Sequence, residues 1–134
     1  MSRENVEVVR EVYDAASRHD AERIFALYDA DVELDASRLE AAWTPGIYRG
    51  HEGLRAFFRE WNEAWEKIDY SYEELLDAGD HVVSIVTRHG RGRASGIEVE
   101  RPFALVWTIR DGKVVRVVWF LARTEALEAA GLRE

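Results

Sequence analysis

The chain has 134 residues, 47% apolar and 33% charged, a composition that fits a folded globular domain and excludes a disordered segment. Its formal net charge of −8 opposes nucleic-acid backbones and anionic membrane surfaces, both of which recruit cations. With no cysteine, disulfides and thiolate chemistry are excluded, and a cytoplasmic setting fits.

Residues 1–10 include Glu4 and Glu7 and lack an apolar core, so no secretion signal is expected. No later run approaches the length of a transmembrane helix. Val6, Val9, Tyr13 and Ala16 share a helical face, widened by Val8 and Val12, which predicts a first amphipathic helix with Ser2 as its N-cap. Asp20 is placed to cap a short second helix carrying Ile24, Leu27 and Tyr28 on one face. The alternation Val32-Glu33-Leu34-Asp35 predicts a strand. Pro45, Gly46 and Gly50 make 36–50 irregular. A third helix then carries Leu54, Phe58, Trp61 and Trp65 on one face.

Sheet dominates the remainder, with strands expected near 68–77, 81–90, 97–110 and 113–121. Asp111-Gly112 is the clearest hairpin turn, because both turn positions need positive φ. Thr124 is expected to cap a last short helix that ends at Gly131 and Leu132. Helices first and an antiparallel meander second give one α+β domain over 1–134. On the third of these strands Phe103, Leu105, Trp107 and Ile109 oppose Ala104, Val106, Thr108 and Arg110. On the fourth, Val115, Val117, Trp119 and Leu121 oppose Val114, Arg116, Val118 and Phe120. Both faces are largely apolar, so one should cover helices or a pocket and the other should meet a second copy of the chain.

This order of elements resembles the SnoaL-like (polyketide cyclase or ketosteroid isomerase-like) branch of the nuclear-transport-factor-2-like superfamily. The resemblance rests on Tyr28-Asp29-Ala30-Asp31-Val32-Glu33, Tyr48-Arg49-Gly50-His51-Glu52-Gly53-Leu54, Asp77-Ala78-Gly79-Asp80 and Val106 to Val114, with 125–132 also fitting. It implies a cone: a curved antiparallel sheet wrapped by N-terminal helices, a short C-terminal helix, and a ligand cavity between. It also implies dimers that pair through the outer sheet face. Family members include isomerases, cyclases, dehydratases, epoxide hydrolases and non-catalytic binders, so the fold does not name the reaction.

Isomerase-like chemistry needs a carboxylate base and an acid that stabilises an enolate oxygen. The resemblance puts the base on the first strand, at Asp35, with Tyr13 beside the position of the family's tyrosine acid. Leu105 and Ala122 stand where further acids would lie. Trp43, Tyr48, Trp61, Trp65, Trp107 and Trp119 are either core packing or walls of a roomy pocket, where their N–H and O–H groups are polar handles. Phe58, Phe103 and Leu105 share those faces and complete the candidate substrate-binding set with Arg88. Arg88 and His89 are adjacent, so only one can face inward; His89 would be the better acid or base near neutral pH. An inward Arg88 near Asp35 would resemble the acid–arginine–acid arrangement of epoxide hydrolases, although a second acid is not evident.

Metal binding is not expected, because His19, His51, His81 and His89 lie far apart in the chain. Gly90 to Gly96 is not a phosphate loop, since no helix follows it. The expected function is a small-molecule pocket. It would act either as a cofactor-free isomerase, cyclase or dehydratase on an apolar carbonyl substrate, or as a non-catalytic binder of an apolar or aromatic ligand. A dimeric assembly module using the outer sheet face is the third possibility.

Overall fold

The computed structural model describes residues 2–39, 46–68 and 72–132, leaving aside the side chains of residues 2, 64–68, 99 and 101. Among the described residues four helices form: α1 (Ser2–Ser17), α2 (Ala21–Leu27), α3 (Gly50–Ala64) and α4 (Arg123–Ala129); Trp65, expected on the third helix, opens a strand instead. Asp20 caps α2 as expected, its carboxylate accepting from the Arg23 N–H at 3.1 Å. Thr124 does not cap α4. Ala122 holds the cap position without a side-chain bond, and Thr124 lies inside the helix. At the other end Gly131 adopts φ 81°, which lets Leu132 donate back to the Leu127 carbonyl at 2.8 Å.

The described residues form seven strands, in chain order β1 (Tyr28–Asp35), β2 (Ile47–Arg49), β3 (Trp65–Ile68), β4 (Glu74–Ala78), β5 (His81–Gly92), β6 (Glu98–Arg110) and β7 (Lys113–Phe120). They form one open sheet in the order β2-β1-β7-β6-β5-β3, with β4 also paired to β5. The pairing of β1 with β7 is parallel, so the sheet is mixed rather than wholly antiparallel. Alternation in sequence reveals a strand but not its partner. The single strand expected near 68–77 is two strands on the same edge of β5, where Ile68 faces Gly90 and Glu74 faces Ile85. The stretch 36–50 contains a 3₁₀ turn (Ser37–Leu39), β2 and the start of α3.

The turn between β6 and β7 is the predicted one, with Asp111 at φ 53° and Gly112 at φ 75°. Next to it the register shifts: Thr108 faces Arg116 while Ile109 faces Val114, leaving Val115 as the extra residue of a bulge. The bulge reverses the expected parity at the start of β7. Val114, not Val115, joins Val117 and Trp119 in the main core.

That core lies between the inner sheet face and α1, α2 and α3. The outer face carries a second cluster of Val83, Ala104, Val106, Val118 and Phe120, and α4 covers it with Ala126 and Leu127. These residues are buried within the single chain, so the apolar character of the outer face does not require a second copy. No helix among the described residues is long and apolar enough to cross a membrane.

Leu127 is 3% exposed and carries the C-terminal cap of α4. Leu127→Ala should therefore cost about 2–4 kcal/mol, measured as a lower midpoint in urea unfolding.

Candidate functional site

The helices and the inner sheet face enclose a pocket. The sheet contributes Tyr28 and Leu34 from β1, Val86 and Arg88 from β5, Leu105 and Trp107 from β6, and Trp119 from β7. Facing them are Val12, Tyr13 and Ala16 of α1, Ile24 of α2, and Leu54, Phe57, Phe58 and Trp61 of α3. The pocket gives the centre of a water molecule about 100 Å³ of room. Widened by a water radius of ~1.4 Å, that is roughly 300 Å³ of void, the small end of ligand pockets.

The polar groups at this wall are few and specific. Ser84, fully buried on β5, holds its hydroxyl 2.9 Å from the Tyr13 hydroxyl and accepts the Trp107 indole N–H at 2.9 Å. Burial pushes the Tyr13 phenol well above its ordinary value, outweighing the Ser84 hydrogen bond and the nearby Arg88, which lower it. Burial raises Tyr28 likewise, with Tyr13 adding to the effect. Both phenols are therefore neutral O–H groups across the physiological range. The Tyr28 hydroxyl has no hydrogen-bond partner among the described residues. Arg88 lies over two rings, with its guanidinium carbon 3.8 Å from the centre of Trp61 and 4.1 Å from that of Phe103.

Strand parity decides which expected residues reach the pocket. Ser84, Val86 and Arg88 face inward, so His89 faces out; its ring is exposed, with Glu100 at 4.0 Å. On β1, Leu34 pairs with Val117 of the main core and Asp35 with Val118 of the outer cluster. Asp35 thus lies on the outer face, one residue out of phase with the expected inward position. Its carboxylate accepts from the Ser37 hydroxyl at 2.6 Å and the Ser37 N–H at 3.1 Å, with Arg38 at 3.4 Å and Arg116 at 3.9 Å. Burial alone would raise its pKa; the Ser37 bonds and the two arginines together hold it below the ordinary value.

Tyr13, Phe58, Trp61, Arg88, Leu105, Trp107 and Trp119 are brought together at the wall. Tyr48 is buried behind it, donating to Glu60 and packing on Phe57 at 5.3 Å. Phe103 is buried against Arg88 rather than on the wall. Trp43 and the Trp65 side chain lie outside the described residues. No carboxylate lines the pocket among the described residues, and none of their His, Asp and Glu side chains form a cluster suited to a metal ion.

Phe57, Tyr28 and Ser84 are not among the site residues expected from the sequence. Phe57 lies three residues after Leu54 and four before Trp61, so helical spacing admitted it as readily as Phe58. Tyr28 reads as the end of α2 but opens β1, and a lone serine in a valine-rich strand carries no signal of its role.

The sequence profile of the SnoaL-like domain matches residues 9–117. The chain belongs to the SnoaL-like domain family. No curated protein matches it in sequence. Among solved structures, it is similar to an NTF2-like protein of Burkholderia thailandensis, with 30% identity, TM-score 0.75, and 96% and 97% of the two chains covered. An NTF2-like protein of unknown function from Burkholderia pseudomallei superposes at TM-score 0.79 with 24% identity, covering 96% and 97%. Mycobacterium tuberculosis RV0760c, solved in complex with estradiol-17beta-hemisuccinate, superposes at TM-score 0.72 with 18% identity, covering 87% and 92%. The last two likenesses show the SnoaL-like fold and nothing more.

Two stability tests separate these roles. Ser84→Ala leaves a buried hydroxyl and an indole N–H without their partner and should cost about 1–3 kcal/mol in urea unfolding. Asp35→Asn should cost about 1–2 kcal/mol at pH 7, where the carboxylate is charged in the folded state. Because the folded pKa is depressed, that contribution is present above the unfolded value of ~3.9 and is lost as pH falls through the folded value. Wild type and variant should converge in stability once pH falls below the folded value, whereas a gap independent of pH would contradict the assignment.

Proposed function

We propose that this SnoaL-like chain binds a small, largely apolar molecule, aromatic by preference, that carries one oxygen able to meet the Tyr28 hydroxyl. The observation behind this is the wall itself: three tryptophans and two phenylalanines, two neutral phenol O–H groups, and no carboxylate among the described lining residues. A general base must come within about 3 Å of the proton it removes. Asp35, the expected base, is held on the opposite sheet face by Ser37, so binding is favoured over isomerase, cyclase or dehydratase chemistry. Complex formation by RV0760c with a steroid ester supports ligand binding in this fold. A homodimer is not needed for this reading, since the pocket is built within one chain.

Roughly 300 Å³ admits two fused rings, so 2-naphthol and naphthalene form a suitable probe pair. At about 100 times its dissociation constant, 2-naphthol should stabilise the protein by roughly 2.7 kcal/mol, read by thermal shift. Tyr28→Phe should weaken 2-naphthol about three- to tenfold while leaving naphthalene and the unfolding midpoint of the free protein unchanged, because that hydroxyl bonds no described residue. Unchanged stability with either probe would defeat the binding reading.

A further inference from the structure

A second cleft opens on the other side of the pocket wall. It runs between the end of α1 with α2 and the outer flank of α3, and offers about 370 Å³ to the centre of a water molecule. Ala16, Ile24 and Phe58 line both spaces, so these three side chains are a shared partition. Within it the half-buried Phe58 ring stands edge-on between Phe57, at 5.8 Å on the pocket side, and Phe25, at 6.5 Å on the cleft side.

The cleft has a charge opposite to the chain. The protein carries −8 overall, yet the cleft is lined by Arg55, Arg59 and His19 with no acidic side chain among its lining residues. Arg55 is held by stacking on Phe25 at 5.0 Å, and neither arginine forms an ion pair among the described residues. Cations collected at the mouth of an apolar pocket favour one kind of molecule: one with an apolar body and an anionic end.

We propose that the α2–α3 cleft is the mouth of the pocket and that Arg55 and Arg59 bind the carboxylate end of an amphipathic ligand whose apolar body lies inside. This rests on the pocket-binding reading above and adds the charge of the ligand, its orientation and its route of entry.

The test is a matched series of ω-phenylalkanoic acids, from three to six chain carbons, and their neutral amides, with affinities measured by titration calorimetry at low and high salt. In the wild type each amide reports the pocket alone, and the acid should bind roughly five- to tenfold tighter than its amide at the best chain length. That preference should shrink in 1 M salt, where screening shortens to about 3 Å. The double variant Arg55→Gln/Arg59→Gln should bring acid and amide to within twofold while leaving amide affinity as it was. Amides that bind with no preference for the acid would overturn the mouth and leave the pocket intact. A preference that survives the double variant would also overturn it, by assigning the anion to Arg88. If neither acids nor amides bind, both the pocket reading and the mouth fall.

Discussion

The buried Ser84 hydroxyl is the point on which this architecture turns. It meets the Tyr13 phenol of α1 and the Trp107 indole of β6, each at 2.9 Å, so one β5 side chain ties the first helix to two central strands. Unmade, each of these bonds would leave a polar group stranded in an apolar interior. Because side chains alternate along a strand, fixing Ser84 inward also fixes Val86 and Arg88 inward and His89 outward. The polarity of the pocket is thereby set: a guanidinium lying over two rings and two neutral phenols, with the imidazole outside.

The same alternation, applied to β1, removes the carboxylate. Pairing with β7 commits Leu34 to the core and Asp35 to the outer face, where Ser37 and the guanidinium groups of Arg38 and Arg116 hold it. Asp35 therefore stabilises the turn after β1 through hydrogen bonds and charge. A family whose fold hosts both catalysts and binders can differ between them by one step of strand register.

Much of the fold was legible from periodicity. The three N-terminal helices, the Asp20 cap, the Asp111-Gly112 hairpin and the Gly131 ending each follow from a local rule that the structure obeys. Features decided by distant partners were not. The parallel pairing of β1 with β7, the bulge at Val115 and the break between β3 and β4 depend on which strands meet, and no local pattern encodes that. The outer sheet face shows the same limit. Its valines and Phe120 correctly signalled a surface needing cover, but the cover includes α4 of the same chain. At the site, bulky rings on helix and strand faces pointed to the wall through Trp61, Trp107 and Trp119. The polar chemistry of that wall rests on Ser84 and Tyr28, whose roles come only from their neighbours in space.

On this reading an apolar guest sits among these tryptophans with its oxygen at Tyr28. A crystal structure of the 2-naphthol complex tests it most directly. The expected result is fused rings between Trp107, Trp119 and Phe57, with the naphthol oxygen within about 3 Å of the Tyr28 hydroxyl. Ligand found only outside the pocket, or inside it with the oxygen turned away from Tyr28, would contradict it.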